Sequence, residues 1–341
     1  MQLIRGLVNL NHQADACVAT IGNFDGVHLG HQAIIKRVLQ HARRSNHKSC
    51  VILFEPHPKE AFMGDKCPAR ITNFTEKYIQ LRALGVDKLL VLKFNKALCQ
   101  MKATDFIQKV LVDQLKISHL VVGDDFQFGY KRQGNYDLLK KHGELLKENG
   151  QFLKKNGESL YTVEPTPTVL VKDFSENPKE HRASSTLVRE ALESNDLEFA
   201  KMLLTRRYAM TGKVGYGQQL GRTIGFPTAN IALNRRKPTL SGVFLVRAKW
   251  TEREEFSVNI RACWGVANCG YRPTVDGKGY KLEVHLLDVD ADLYGIELKV
   301  EFYAFIRDEM KFESVEVLKT QINKDVETAK KLVKNRLIQH D

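Results

Sequence analysis

The sequence predicts an α/β chain of two domains: a doubly wound parallel sheet, followed by an antiparallel β-barrel with a long terminal helix. Three observations predict this fold class. The length of 341 residues suits two domains, each large enough to bury a core. Short apolar runs alternate with amphipathic stretches of helical spacing up to about residue 185. After Tyr208, short alternating segments are separated by Gly, Pro and Asp turns, which is typical of an antiparallel barrel or sandwich.

The elements of the first domain follow from hydrophobic periodicity. Continuous apolar runs are typical of strands buried on both faces of a parallel sheet, and amphipathic stretches between them predict helices. The predicted strands are 17–22, 49–54, 88–94 and 118–123, and the predicted helices are 31–44, 75–84 and 104–115. The Lys-rich stretch 140–158 is interpreted as a solvated helical extension. Ligands of such sheets bind at the carboxyl ends of the strands, so we expect the functional residues in the loops that follow them.

The second domain is predicted from period-two alternation and one long amphipathic stretch. Helical periodicity returns at 184–204, and we place the domain boundary there, with a first domain at 1–186 and a second at 187–341. The predicted strands are 241–250, 256–268, 280–289 and 297–307, and the predicted terminal helix is 314–337.

Composition excludes several classes of protein. Six scattered cysteines without a C-x-x-C pair argue against a disulfide scaffold or a zinc knuckle. The longest apolar runs are far shorter than the roughly 18 residues of a membrane span, and the N-terminus lacks a secretory apolar region. We therefore expect a cytoplasmic location. The net charge of +12 is spread along the chain and suits either small phosphorylated ligands or a nucleic acid.

The loop GNFDGVHLGH, residues 22–31, follows the first predicted strand and leads into a helix. Its glycines permit a sharp turn and a close approach to a ligand, and free N–H groups at a helix start suit phosphate. His28 and His31 are three residues apart and share a helix face. Two imidazoles placed there could stabilise charge in phosphoryl transfer. The alternative is a glycine turn with two surface histidines.

Three further motifs follow in the first half. FEPHP presents His57 between two prolines, and VGDDFQFG combines two acids with two phenylalanines that suit stacking on a planar ring. SSTLVRE places two hydroxyls at a helix start and Arg189 one turn later, which suits phosphate. Taken singly, each motif is also compatible with plain loop structure, core packing or an ordinary helix cap.

Together and in this order, the four motifs resemble the FMN adenylyltransferase module of bacterial bifunctional riboflavin kinase/FAD synthetases. The resemblance implies a Rossmann-like nucleotidyltransferase domain, in which His28 and His31 bind the ATP phosphates and stabilise the transition state at the α-phosphorus. The FMN phosphate is then the nucleophile, and no activated side chain is needed. The resemblance also implies ATP contacts from Asn23, Phe24, Asp25, Gly26, Ser185, Thr186 and Arg189, and flavin contacts from Phe54, His57, Asp125, Phe126 and Phe128.

The second domain opens with a glycine-rich segment, GKVGYGQQLGRTIGFPTANI at 212–231. Such a run suits a phosphate cradle or flap, although the P-loop pattern is absent and a set of β-turns is the alternative. Pro227 stiffens the chain before Thr228 and Asn230, whose oxygen atoms suit Mg²⁺ and nucleotide phosphate.

The string G-F-P-T-A-N within this segment resembles the riboflavin kinase signature, and later segments of the barrel resemble that family too. The resemblance implies a riboflavin kinase barrel in which Glu283 of L-E-V-H is the general base and Thr228 and Asn230 bind Mg²⁺. From alternation alone, Glu283 is instead an acid that faces water on a half-buried strand. Further ATP or flavin contacts implied by the resemblance are Gly212, Gly217, Gly221, Arg222, Pro227, Asn230 and Arg307.

The function that follows is the synthesis of flavin cofactors in two steps. Riboflavin and ATP give FMN, and FMN and ATP then give FAD and pyrophosphate, with Mg²⁺ screening the polyphosphate in both steps. The expected partners are ATP, riboflavin, FMN and FAD, without nucleic acid or membrane. One alternative is a monofunctional kinase or adenylyltransferase. The other is a basic RNA-binding protein, which is disfavoured because the aromatic residues of the barrel alternate as core residues do.

Overall fold

The computed structural model separates into two compact units. One comprises Met1–Pro68 and Lys77–Ser184, and the other comprises Ala69–Glu76 and Ser185–Asp341. The structure describes residues 1–10, 16–148, 161–216, 224–233, 235, 237, 239–254, 257–274, 277–289 and 293–338.

The first unit contains a parallel sheet of six strands in the order β1-β4-β3-β2-β5-β6. The four predicted strands are confirmed as β2 to β5, and the two outer strands, β1 and β6, were not predicted. The strands are β1 Gln2–Arg5, β2 Cys17–Ile21, β3 Lys48–Glu55, β4 Lys88–Lys93, β5 Ile117–Gly123 and β6 Thr162–Thr166. Sequence periodicity misses the outer strands because β1 is four residues long and β6 contains a glutamate and a proline, which interrupt an apolar run. Proline within a sheet is largely confined to edge strands, as here.

Helices cover both faces of this sheet, which confirms the doubly wound class. On one face, Val18 and Val121 pack with Val38 and Ala42 of the first helix. The helices are α1 Leu29–Ser45, α2 Pro58–Met63, α3 Phe74–Ala83, α4 Lys96–Gln100, α5 Ala103–Asp105 and α6 Tyr136–Glu148, with a π-helix at Phe106–Gln114 after α5 and 3-10 turns at Leu7–Asn9, Gly64–Lys66 and Tyr130–Arg132. A separate antiparallel pair is formed by β7 Leu170–Lys172 and β8 Glu180–Arg182.

All three predicted helices of this half are present, and the third continues mainly with π-helical spacing. In the Lys-rich stretch, residues 140–148 belong to α6, as the interpretation as a helical extension requires. Residues 149–158 of the stretch lie outside the described residues.

The second unit is a closed antiparallel barrel in the order β10-β13-β12-β11-β14-β9, which settles the choice between barrel and sandwich. The four predicted strands and the terminal helix are confirmed. Strands β9 and β10, which carry the glycine-rich segment, were not predicted. The elements are α7 Ser185–Glu193, α8 Leu197–Leu204, β9 Ala209–Gly215, β10 Ala229–Ala232, β11 Gly242–Glu254, β12 Ser257–Thr274, β13 Gly277–Leu286, β14 Glu297–Arg307 and the terminal helix Val315–Ile338.

The barrel interior is filled by alternate residues of its strands. Phe244 and Phe302 are fully buried and meet edge to face, with ring centroids 5.4 Å apart. The terminal helix covers part of the outside, where Val326 and Ala329 share a buried cluster with Val243 of β11. Each strand therefore has one face in the core and one face that is available for a helix or a ligand.

A buried ion pair ties residues 69–76 to the barrel. Arg235 Nη2 lies 2.5 Å from Glu76 Oε2, and the two side chains are 1% and 8% exposed. Arg235 Nη1 donates to Tyr208 Oη at 2.7 Å and to Ile71 O at 3.0 Å, while Glu76 Oε1 accepts from the backbone N–H of Thr211 at 2.7 Å. A buried pair that is hydrogen-bonded on both sides tolerates the loss of neither partner.

We expect Glu76→Ala to destabilise the barrel by roughly 3–5 kcal/mol, because the substitution leaves the Arg235 charge buried without a counter-charge. Both tryptophans of the chain, Trp250 and Trp264, lie in the barrel, so their fluorescence during urea unfolding reports this unit selectively. The matched control is Lys201→Ala in the same unit, which removes an exposed pair with Glu198 and should change stability by less than about 0.5 kcal/mol. Equal urea concentrations at the unfolding midpoint of the two variants would refute the stabilising role of the buried pair.

Candidate active sites

The loop between β2 and α1 is held in an unusual backbone conformation. Phe24 and Val27 have φ angles of 47° and 45°, and Gly26 has a φ of 86°. Non-glycine residues adopt such angles rarely, at a cost that the surrounding structure must offset. Phe24, Asp25 and Val27 are each at most 3% exposed. The loop is therefore a rigid turn whose shape is fixed by packing.

The two histidines of this loop form a stacked pair. Their ring centroids are 3.7 Å apart at an interplanar angle of 29°, and the Phe24 ring lies 5.0 Å from that of His31. A Cβ atom at Gly30 would come within 3.0 Å of Ala183 O and 3.2 Å of the His28 ring. A side chain at the glycine of H-x-G-H would therefore be tightly packed against the imidazole and the backbone.

Burial and neighbouring groups act on the polar atoms of this loop. The pKa of His31 is well below its usual value, because burial disfavours the charged ring and the positive charges of His28 and Lys77 repel a proton. His31 Nδ1 and Asn23 Oδ1 are buried and have no hydrogen-bond partner among the described residues. Buried polar atoms are normally satisfied, so this loop has the character of a binding site. A phosphate group would satisfy the imidazole and relieve the repulsion.

The predicted flavin contacts occupy different environments. Phe126 and Phe128 are stacked, with centroids 5.4 Å apart at 15°; Phe128 is in the core at 7% exposed, and Phe126 is half-buried. The ring of half-buried Phe54 lies 6.0 Å from that of Phe94. His57 Nδ1 accepts the backbone N–H of Lys59 at 3.1 Å and caps the start of α2. Phe126 therefore offers an accessible ring, and His57 has a structural role in addition to its predicted one.

The acids after β5 are held by residues that sequence reasoning missed. Arg182 Nη2 lies 2.8 Å from Asp124 Oδ1 and 3.0 Å from Asp125 Oδ1, and the Thr168 hydroxyl donates to Asp124 Oδ2. The Thr168 hydrogen bond, followed by the Arg182 charge, holds the pKa of Asp124 below its usual value. Asp125 remains exposed on 71% of its side chain. Both carboxylates are thus oriented, and Asp125 is accessible.

The S-T-x-x-R motif lies at the start of α7, in the second unit. Ser185 is the first residue of the helix, Thr186 is exposed and Arg189 is half-buried. Arg189 Nε donates to Ala69 O at 2.6 Å, so the backbone of residues 69–76 orients the guanidinium.

The barrel brings the predicted base and the predicted metal ligand together. Glu283 of β13 lies directly opposite Asn230 of β10 and, on its other side, opposite Asn268 of β12. Directly opposed residues point to the same face of a sheet, with Cβ atoms about 5 Å apart. Leu282 and Val284 are fully buried, so Glu283 points to the outer face of the barrel. Asn268 was not predicted, although its segment was included in the resemblance.

The signature G-F-P-T-A-N contacts strand β13, which also carries Glu283. His285 Nδ1 lies 2.9 Å from Pro227 O, and its ring meets Phe226 edge to face at 5.4 Å. Asn230 Nδ2 donates to Thr228 O at 3.5 Å. These contacts hold Thr228 and Asn230 beside Glu283, and His285 was missed because its partner is distant in sequence. Gly217, Gly221 and Arg222 lie outside the described residues.

Comparisons with known proteins match both halves of the chain. A family model described as FAD synthetase matches residues 10–185, and one described as riboflavin kinase matches residues 204–333. Two curated relatives, both named bifunctional riboflavin kinase/FMN adenylyltransferase, come from Haemophilus influenzae and Pseudomonas fluorescens. They are 42% and 44% identical, and each alignment covers 97% of this chain and 98% of the relative.

The chain belongs to the bifunctional riboflavin kinase/FMN adenylyltransferase family. The resemblance inferred from the motifs is thereby confirmed, and the alternatives of a monofunctional enzyme or an RNA-binding protein are not favoured. A solved structure from Streptococcus pneumoniae, described as a macrolide-efflux protein, is 27% identical with a TM-score of 0.74, and covers 97% of this chain and 99% of its own. In the part of the chain that the structure describes, no helix is long and apolar enough to cross a membrane.

Two residues that were predicted to contact ATP or flavin, Arg307 and Gly212, also have clear structural roles. Arg307 donates from Nε and Nη2 to both carboxylate oxygens of Asp325 at 2.8–3.1 Å, and so anchors the terminal helix to β14. A Cβ atom at Gly212 would collide with Ala232 O, because β9 and β10 approach closely there. Their predicted contacts with ATP or flavin stay predictions.

We expect Gly212→Ala to destabilise the barrel by about 1–3 kcal/mol, because the added methyl group forces β9 away from β10. Gly215→Ala on the same strand is the matched control, since the nearest atom to its added Cβ would be Asn230 O at 4.0 Å. Urea unfolding followed by tryptophan fluorescence measures the stability of the barrel in both variants. An equal loss of stability in the two would mean that the close approach of β9 and β10 is not the reason for glycine at residue 212.

Proposed function

We propose that this chain makes FAD from riboflavin in two ATP-dependent steps, one at each site described above. Riboflavin is phosphorylated to FMN at the barrel, and FMN is adenylylated to FAD at the H-x-G-H loop. One observation carries the proposal: the chain has the motif residues of both activities, with His28 and His31 stacked in one loop and Glu283 in register with Asn230 in the barrel.

In the adenylyl step, a phosphate oxygen of FMN attacks the α-phosphorus of ATP. The bond from that phosphorus to the bridging oxygen of the β-phosphate breaks, and pyrophosphate leaves. His28 and His31 donate hydrogen bonds to the phosphates as charge builds, and the turn Asn23–Gly26 shapes the loop around ATP. Because the loop is already rigid, little reorganisation is needed at the moment of reaction. Ser185, Thr186 and Arg189 bind the triphosphate.

The flavin of FMN stacks on Phe126, with Phe128 supporting that ring from the core side. Phe54 adds apolar contact, and His57 fixes the neighbouring loop as well as contacting the flavin. Asp125, oriented by Arg182, faces the two substrates. In this assignment the aromatic rings provide affinity for the flavin, and Asp125 orients the substrates.

In the kinase step, Glu283 accepts the proton of the riboflavin 5′-hydroxyl as its oxygen attacks the γ-phosphorus, and ADP leaves. The family typically uses a divalent metal ion, and we propose Mg²⁺ held by Thr228 and Asn230, whose hydroxyl and amide oxygens are hard donors that suit it. When bound, the ion screens the polyphosphate charge. Further contacts with ATP or flavin come from Gly212, Gly217, Gly221, Arg222, Pro227, Asn230 and Arg307.

The small-molecule partners ATP, riboflavin and FMN follow from the two activities. We further propose FAD as the released product, a cytoplasmic location, no nucleic-acid partner, and functional domains at 1–186 and 187–341.

A chromatographic assay tests the proposal. The purified chain is incubated with ATP and Mg²⁺ and, separately, with riboflavin or FMN, and the flavins are separated and quantified by fluorescence. We expect FMN and then FAD from riboflavin, FAD from FMN, and neither product when EDTA replaces Mg²⁺. Turnover of only one substrate would reduce the chain to a monofunctional enzyme, and the absence of all turnover would refute both activities.

A further inference from the structure

A second histidine cluster lies in the first unit, away from the H-x-G-H loop. It combines His41 near the end of α1, His119 of β5 and Glu164 of the edge strand β6. One potential ligand atom from each residue lies within 4.8 Å of the others. His41 is ten residues beyond His31 on the same helix, a rise of ~15 Å. The cluster is thus separate from the adenylyl site and unused by it.

The ring of His119 is oriented as metal-binding histidines usually are. Its Nδ1 lies 2.6 Å from the Thr162 hydroxyl, while its Nε2 is buried and has no hydrogen-bond partner among the described residues. When Nδ1–H donates to the Thr162 hydroxyl, the lone pair of Nε2 is left for a metal. The buried Nε2 lies 3.7 Å from Glu164 Oε2, which is longer than a hydrogen bond.

The other two residues complete a compact set of donors. His41 Nε2 lies 2.7 Å from Glu164 Oε2, and the rings of His41 and His119 are stacked with centroids 3.9 Å apart. Arg37 Nε lies 3.6 Å from the second carboxylate oxygen, Oε1, whereas both histidine contacts are made with Oε2. Oε2 is the oxygen that faces both imidazoles.

The donor types select the class of metal. Ligand atoms bound tetrahedrally to Zn²⁺ are roughly 3.3 Å apart, and the two contacts with Glu164 Oε2, at 2.7 and 3.7 Å, bracket that separation. Two imidazole nitrogens and one carboxylate suit Zn²⁺ and related transition ions, whereas Mg²⁺ and Ca²⁺ prefer oxygen donors. Three protein ligands leave a fourth position for water.

We propose that His41, His119 and Glu164 form a binding site for a divalent transition-metal ion of the zinc class. The ion replaces the proton that His41 and Glu164 share and occupies the space beside His119 Nε2. It links helix α1 to strand β5 and to the edge strand β6. Because the ion binds only the folded arrangement, it stabilises the first unit.

The test measures zinc affinity of the full chain, freed of metal by EDTA, in competition with a chromophoric zinc chelator. The variants are His119→Asn, Glu164→Gln and Thr162→Val, and the matched control is His47→Asn, a histidine that bonds Ser118 outside the cluster. We expect affinity to fall about 100-fold on loss of a ligand and about 10-fold in Thr162→Val, with no change in His47→Asn or in excess Mg²⁺. Circular dichroism checks that each variant is folded.

Cobalt(II) provides an independent readout that needs no variant. Bound by two imidazoles and a carboxylate in a tetrahedral site, it should give intense visible absorption that one equivalent of Zn²⁺ abolishes. Zinc at about 100 times its Kd should also raise the unfolding temperature by roughly 5 °C. The proposal is overturned if Glu164→Gln binds zinc as tightly as the unmodified chain, or if His47→Asn loses as much affinity as His119→Asn. FAD synthesis is not the readout, so failure here leaves the proposed function untouched.

Discussion

His31→Asn should lower the rate of FAD formation from FMN by roughly 10²–10³-fold, while FMN formation from riboflavin stays unchanged. The loss is expected from the proposed role of the stacked imidazoles, which is to donate hydrogen bonds to phosphate as charge builds in the transition state. Initial rates from each flavin substrate, measured at saturating ATP, separate the two steps. The loss should be mainly in kcat, since the interaction strengthens in the transition state.

The control for this variant is His47→Asn, which replaces a half-buried histidine that contacts Ser118 and lies outside the loop. We expect it to keep both rates within about twofold, as surface changes away from special features usually do. Because His31 packs against Phe24, the unfolding temperature of His31→Asn should be measured in parallel. Equal losses in both steps, or full adenylyl activity in a folded His31→Asn, would contradict the role given to the pair.

Glu283→Gln should lower the kinase rate by roughly 10²–10⁴-fold and leave FAD formation from added FMN unchanged. Glutamine keeps the size and hydrogen-bonding capacity of glutamate, but it cannot accept the proton of the riboflavin hydroxyl. Its neighbours Asn230 and Asn268 sit directly across the strands, so the fold of the barrel should be preserved. Initial rates of FMN formation from riboflavin measure the effect.

Glu297→Gln is the matched control, because Glu297 is an exposed glutamate on another strand of the same barrel. It should retain full activity. A kinase rate in Glu283→Gln within tenfold of the unmodified chain would show that proton transfer to Glu283 is not required, and would support the simpler interpretation of this residue as an acid facing water.

Sequence reasoning predicted those elements whose pattern is local and continuous. The runs at β2 to β5 are apolar because both faces are buried, and such runs are read directly from hydrophobicity. Strand β10 has four residues and follows a glycine-rich segment, and β9 carries two glycines, so neither presents a clear period of two. These segments form strands because they pair with other strands of the closed barrel, and a short stretch of sequence does not reveal such pairing.

The candidate sites show the same division between local and distant information. The stacking of His28 on His31 follows from spacing and one helix start, and the resemblance located both residues. The partners Arg182, Asn268 and His285 were missed because strand register or a hairpin brings each to its site. Glu76 and Arg235, 159 positions apart, are likewise joined only by the fold, and neither stands out in sequence.

Complementation between two variants tests the central claim, that two separable sites in one chain make FAD in sequence. His31→Asn, which should stop at FMN, is mixed with Glu283→Gln, which should not make FMN, and riboflavin, ATP and Mg²⁺ are supplied. We predict little FAD from either variant alone and sustained FAD formation from the mixture, as FMN released by the first is adenylylated by the second. If both variants are folded and the mixture still stops at FMN, the two sites do not act as proposed.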